Sequence, residues 1–308
     1  MKVKIIFLLL LIVVVSGCTG QRAIKVDANN GLVINKFDID PSTLEYTDTV
    51  DIYLEVENVG GTTASNVVAS LYGITWTEPE TKTLNKELTP PDIRFSPGVS
   101  GGYAVFRWSI KAPKLPEGIE HRYDISARVS YDYKTTAVAN LPAITKAEYK
   151  RRKETNTATS EMTITNSNAP IKVDVTAQPI IIDTSPDAPN SFEFPLRISF
   201  TNVGSGVPNT DGVDGAIKGS IRLEGANLLG ASLVDCIEEG NNIGTEGEVN
   251  IRIREGKMVT APCTLRIDKS AWLNRPEGTL SLIFDLRYGY YVESKTQIKV
   301  LGTRYRNE

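Results

Sequence analysis

A glycine-flanked serine, one histidine and three cysteines are where chemistry would have to start in this chain. Gly98-Val99-Ser100-Gly101-Gly102 has the G-x-S-x-G spacing of a nucleophile elbow, which needs a strand-to-helix turn and a following acid and histidine. Here the glycines precede an alternating apolar stretch, and the sole histidine, His121, stands at a strand entrance, so a surface loop is expected. One histidine largely closes off histidine metal centres and repeated acid–base use. Carboxylates are plentiful, but no spacing singles out a pair. Asn209, Asp211 and Asp214 sit in a glycine-rich loop, Pro208–Gly215, of the oxygen-rich kind that can hold calcium. The loop lacks the spacing and final bidentate glutamate of a helix-loop-helix calcium site, and turn chemistry accounts for Asn-x-Asp-Gly. No catalytic residue, metal or cofactor is expected.

The third reactive group is Cys18. Lys2 and Lys4 start the chain, eleven apolar residues run from Ile5 to Val15, and Ser16-Gly17 follow. Charge, apolar core and small residues in that order form a secretory signal. Eleven apolar residues fall short of the ~20 that cross a bilayer; the alternatives are a short N-terminal anchor or a buried helix. Val15-Ser16-Gly17-Cys18 resembles a lipobox, the processing site of bacterial and archaeal lipoproteins, and Ser-Gly-Cys-Thr-Gly is similar to archaeal examples. The resemblance implies cleavage before Cys18, a thioether-linked lipid on its sulfur, and a mature chain held on the outer face of the cell membrane. Without Lys2 and Lys4 the 34 basic residues fall to 32 against 37 acidic ones. That acidic balance argues against nucleic-acid binding, which needs a basic footprint.

Cys236 and Cys263 remain. An even pair in an exported chain reads as a disulfide, since the exterior is oxidising; two buried free thiols are the alternative. A metal is disfavoured, because no further cysteine or nearby histidine completes a tetrahedral shell.

The elements that would carry these residues repeat. Val50–Gly60 alternates apolar and polar residues and stops at Asn58-Val59-Gly60; Phe192–Gly204 does the same and stops at Asn202-Val203-Gly204, 144 residues later. Period-two alternation marks strands with one buried face. Tyr123, Ile125, Ala127, Val129, Tyr131 and Tyr133 match Leu280, Leu282, Phe284, Leu286, Tyr288 and Tyr290 one for one at an offset of 157. At the same offset Phe106, Trp108 and Ile110 match Cys263, Leu265 and Ile267, so Cys263 should point inward. No helical period appears, and short strands with Pro/Gly punctuation favour antiparallel sandwiches. Residues 42–73 resemble the CARDB-like and related immunoglobulin-like modules of prokaryotic surface proteins, which implies an all-β fold of two tandem immunoglobulin-like antiparallel β-sandwiches.

The expected organisation is a signal peptide over 1–17, a lipidated tether over 18–30, one sandwich over 31–144, a linker over 145–169, a second sandwich over 170–302 and a tail over 303–308. In the linker, Lys146, Lys150, Arg151, Arg152 and Lys153 outnumber Glu148 and Glu154. A solvated linker with a helical turn is expected there, with "SEMTITN" able to add an edge strand; the alternative is contact with an anionic surface. Tyr131, Tyr133, Tyr288 and Tyr290 suggest a carbohydrate platform, but they lie on the apolar phase of their strands, so core packing is expected and Tyr291 should face solvent.

The functional expectation is a non-catalytic surface lipoprotein, attached to the membrane through Cys18. It would offer loops and strand edges to an unknown protein or envelope component, with first contacts sought in the insertions 205–220 and 236–258. The alternative is a carbohydrate- or small-solute-binding lipoprotein, and an enzyme is the third class.

Overall fold

The computed structural model describes residues 24–302 except 47, 95–97, 238–239 and 254–257. The expectations for the signal peptide, for Cys18 and for the tail therefore lie outside the described residues. The first repeat contributes β1 (Leu32–Asp40), β2 (Thr43–Glu45), β3 (Thr49–Asn58), β4 (Ser65–Tyr72), β5 (Lys82–Thr83), β6 (Tyr103–Lys111) and β7 (Glu120–Thr145). A helix, Lys146–Glu154, and β8 (Thr163–Asn166) join it to the second repeat. There follow β9 (Ile171–Ala177), β10 (Ile180–Ile182), β11 (Ser191–Asn202), β12 (Val207–Thr210), β13 (Val213–Asp214), β14 (Ala216–Glu224), β15 (Ala231–Val234), β16 (Glu246–Arg252), β17 (Met258–Asp268) and β18 (Glu277–Leu301).

The fold is all-β, as the alternation implies. In β6 every second residue from Ala104 to Ile110 is buried while Tyr103, Val105, Arg107, Ser109 and Lys111 are exposed. Two outer sheets belong to one repeat each, β1-β3-β6 and β15-β17-β11-β9. Both pack on a single sheet of eleven strands that the repeats share.

The shared sheet is built on β7 and β18. They pair antiparallel without a break from Glu277 opposite Ile144 to Leu301 opposite Glu120. At ~3.4 Å per residue, this ladder is about 80 Å long. Its midpoint sets Asp132 opposite Gly289, its equivalent under the 157-residue offset, and on either side Tyr131 faces Tyr290, the equivalent of Tyr133, while Tyr133 faces Tyr288, the equivalent of Tyr131. The ladder thus carries an internal two-fold relation. On the first repeat's side, β4 pairs with the early half of β7, and the late half of β18 pairs in parallel with β2 through Lys299–Leu301. On the other side, β14 pairs with the early half of β18, and the late half of β7 pairs in parallel with β10 through Ala143–Thr145. Each repeat therefore ends its last strand inside the other repeat's sandwich. Residues 134–144, expected in the first sandwich, complete the second, and 289–301 complete the first.

One more segment differs from expectation, because exposed backbone polar groups found partners. Residues 27–30, expected in a free tether, lie at the joint. Asp27 N–H donates to Val59 O (2.8 Å), Ala28 O accepts from Ala169 N (3.2 Å) and Lys172 Nζ (2.6 Å), and Ser205 N–H donates to Asn30 Oδ1 (3.0 Å). The stretch 145–169 holds the helix and the edge strand expected of it, with β8 paired to Ala137–Asn140 of β7.

Candidate functional site

The joint is where the sequence put four tyrosines, and it buries all of them to within 4% of full cover. The Tyr131 ring meets the Tyr290 ring at 5.8 Å across the ladder. The hydroxyls are spent on loops: Leu32 N–H donates to Tyr131 Oη (3.0 Å), Thr62 N–H to Tyr133 Oη (3.2 Å) and Gly206 N–H to Tyr290 Oη (3.0 Å). Tyr288 Oη shares a 2.8 Å hydrogen bond with Thr135 Oγ1. The two Asn-Val-Gly stops feed the same network. Asn58 Oδ1 accepts from Gly60 N–H (3.1 Å), and Asn202 Oδ1 accepts from Gly204 N–H (3.2 Å) and from Tyr290 Oη (2.9 Å). Both glycines are required by packing, since a Cβ on Gly60 or Gly204 would lie 2.3 or 2.5 Å from Tyr133 Oη or Tyr290 Oη. Burial pushes the hydroxyls of Tyr133 and Tyr290 up to about 12 and raises those of Tyr131 and Tyr288 too, so all four are neutral struts. They form no sugar platform. Tyr291 is half-buried and lies 4.1 Å from the Arg128 guanidinium, which also covers Tyr72 at 5.3 Å and pairs with Glu293 at 2.7 Å.

Cys236 and Cys263 form a disulfide, and both are buried. Cys263 points into the core as its counterpart Phe106 does. Cys236 lies two residues beyond the end of β15, which pairs antiparallel with Thr264–Ile267 of β17, so the bond staples a four-residue edge strand to its neighbour.

The remaining chemical candidates are occupied by structure. Ser100 lies between the Asp92–Val99 bridge and β6, where no helix follows. His121 starts β7, edge-on to Tyr123 at 4.5 Å. Asn209, Asp211 and Asp214 belong to the β12–β13 hairpin, whose turn residues Asp211 and Gly212 take φ of 54° and 76°. Asn209 Nδ2 donates to Asp214 Oδ1 (2.7 Å), and Lys218 Nζ pairs with Asp211 (2.6 Å). Among the described residues no group of three or more His, Cys, Asp or Glu side chains could hold a metal ion. Much of the insertions 205–220 and 236–258 is likewise woven in: β12 pairs with β18, and β16 with β14.

The basic run of the helix is largely consumed. Thr145 caps it, Arg151 and Arg152 grip Glu148 at 2.6 and 2.9 Å, Arg152 also pairs with Glu277, and Lys146 pairs with Asp183 at 2.6 Å. These ties close a cleft of about 490 Å³ between the helix, Met162 and Ile180. The guanidiniums, Arg151 first, hold the Glu148 carboxyl at about 2, and the Lys146 ammonium holds Asp183 at about 2. Depressed carboxylates stabilise the docked helix fully above their ordinary range, and the effect is lost as pH falls through the folded value. A carbon-detected NMR titration of Glu148 is expected to show its midpoint near pH 2, with loss of helix contacts between pH 4.5 and 2; a midpoint at 4.5 would mean an undocked helix.

A second groove, of about 930 Å³, lies beside β6 between Trp76–Lys82 and Arg107–Lys114. Trp108 Nε1 donates to Glu80 O (2.6 Å) and Trp76 Nε1 to Lys111 O (2.8 Å). Sequence reasoning marked Trp108 and Ile110 only as repeat positions and none of these residues as a site. The available sign was the pair of cations, Arg107 and Lys111, on the exposed phase of β6.

No protein-family profile matches the chain, and no curated protein does. Solved structures that share features of it include an alkylpurine DNA glycosylase of Pseudomonas fluorescens (10% identity, TM-score 0.21, covering 32% of this chain and 27% of that one). A secreted serine protease of Vibrio cholerae has 10% identity and TM-score 0.20, covering 83% and 50%. The CupB6 tip adhesin of Pseudomonas aeruginosa has 8% identity and TM-score 0.18, covering 89% and 96%. The chain spans half or less of the first two. Scores this low lend weight to no reading, and the all-β assignment stands on the strands themselves.

Proposed function

We propose that the chain is a non-catalytic surface lipoprotein of prokaryotic, archaeal-looking type, anchored through Cys18, whose fused sandwiches act as an interaction module for a protein or envelope component. The observation that supports this most is β6, a nine-residue strand that pairs on one side with β3 and, among the described residues, with no strand on the other, bordered by an open groove. Unpaired strand edges template further strands, and a body that leaves one open beside a groove is suited to receive a partner. The docking of residues 27–30 at the joint adds an orientation. The nine residues 18–26 reach at most ~30 Å, so a lipid on Cys18 would hold the 80 Å body by its middle, not by one end.

The cleft of about 490 Å³ under the helix favours a second reading, binding of a small solute or sugar between Tyr149, Gln178 and Glu277.

The anchoring is tested in intact cells. The natural chain is expected in the membrane fraction and open to surface biotinylation, and Cys18→Ser is expected in the soluble or unprocessed fraction. Equal membrane retention of Cys18→Ser would overturn the lipoprotein reading. Crosslinking on the intact surface is expected to join the chain to a partner.

A further inference from the structure

The internal repeat itself indicates what belongs on the open edge. At the offset of 157, β6 corresponds to β17, and β17 is paired on both sides, by β11 and by β15. The first repeat has no counterpart of β15 or of its disulfide among the described residues. We infer that the outer edge of β6 receives an extended peptide of another protein, antiparallel as β15 lies on β17, with acidic residues towards the peptide's N-terminal end and apolar ones after them. This rests on the interaction-module reading and names its partner's chemistry.

The backbone on this edge is set for pairing. In an antiparallel ladder a residue's N–H and C=O point to the same neighbour. Pro262 O accepts from Ile237 N–H (2.8 Å) on the β15 side of β17, so the equivalent groups of Val105, and by alternation those of Arg107 and Ser109, point away from β3. Lys111 O confirms the phase, since it accepts from Trp76 Nε1 on that side. Among the described residues no backbone–backbone hydrogen bond reaches Val105, Arg107 or Ser109 from beyond β3.

Side chains set the partner's character and direction. Along the exposed face lie Tyr103 and Val105, 59% and 50% exposed, then Arg107, Ser109 and Lys111. In the groove Lys82 pairs with Glu80, Lys114 lies over Tyr46 at 5.6 Å and Arg107 lies over Tyr53 at 4.6 Å. Arg107 and Lys111, in alternate positions along the exposed face of β6, call for carboxylates opposite them. An antiparallel peptide enters beside the Lys111 carbonyl that Trp76 holds, pairs from Ser109 and Arg107 onward and leaves opposite Val105 and Tyr103, which orders acidic before apolar. A second copy of β6 is a poor occupant. Antiparallel pairing about the strand's centre would set Arg107 against Arg107, and like charges directly opposite are unfavourable.

The test uses the full chain in detergent and a fluorescent nine-residue peptide with glutamate at positions 1 and 5, valine at 7 and 9, and serine elsewhere, read by anisotropy. Val105→Pro removes one outward N–H while leaving the β3 pairing intact, as Pro262 does in β17 opposite Arg197. Val105→Pro is expected to weaken binding at least tenfold with an unchanged melting temperature. The reversed peptide is expected to bind at least tenfold more weakly. Arg107→Glu should lose the acidic peptide and gain one with lysine in place of glutamate. Equal binding of either peptide direction, or undiminished binding by Val105→Pro, overturns the proposal, as does a dimer of the natural chain that Val105→Pro dissolves. If Val105→Pro still crosslinks its surface partner in full, the edge assignment falls and the interaction module stands.

Discussion

Neither repeat is expected to fold when produced alone as residues 31–144 or 170–302. The first would keep β7 but lose Val292, Ile298 and Val300, all buried by at least 95% in the continuous core that also holds Leu44 and Ile125. It would also leave β2 without the strand it pairs with. Burying a valine or isoleucine side chain contributes about 1.5–3 kcal/mol. Three of them approach the about 5–15 kcal/mol that holds a whole domain together. The second would lose Ala137, Ala139, Leu141 and Ala143 with the parallel partner of β10. Amide NMR spectra of each half should be poorly dispersed, and mixing the halves should restore dispersion if the ladder reassembles. A chain ending at Arg287 sharpens the test, because the deletion lies in the second repeat yet should unfold the first. A well-dispersed spectrum from residues 31–144 alone would show that the shared strands are dispensable.

Removing the disulfide is expected to cost roughly 3 kcal/mol, from the loop entropy of its 27-residue span. For a body of this size that corresponds to a fall in melting temperature of about 6–12 °C. Cys236→Ala with Cys263→Ala separates this effect from the burial of a hydroxyl that serine would add. The loss should be local first, because β15 touches β17 through only four residue pairs and the bond holds its end in place. Amide exchange should therefore quicken at Ala231–Val234 before the β7–β18 ladder responds. The same change would open the β17 edge and give the second repeat the free strand that the first has in β6. Calorimetry with and without a reductant reads the shift directly, and identical melting in both would remove the bond from the account of stability.

Alternation along Val50–Gly60, Phe192–Gly204 and the two tyrosine-ended strands was enough to establish strands, repeat and inward-facing residues. The strict period of two in side-chain direction is a property of one strand and needs no neighbour to be seen. The cysteine pair was legible for a related reason: the matching of Cys263 with Phe106 placed one sulfur in the core, and an even count in a chain expected to be exported supplied the other. The candidate edge was only half visible. Arg107 and Lys111 showed on the exposed phase of β6, but whether a strand lies beside them depends on the third sheet neighbour, which alternation does not report.

The sequence by itself determined that this protein is built of β-strands, that its two halves repeat, and which faces of those strands avoid water. Only the tertiary structure decided that the halves are fused. An apolar face records that it is covered and carries no record of what covers it, so β7 and β18 read identically whether they close their own sandwiches or, as here, each other's. The docking of residues 27–30 and the pairing of Arg152 with Glu277 depend in the same way on groups brought close by folding, from as far as 175 residues away in the chain.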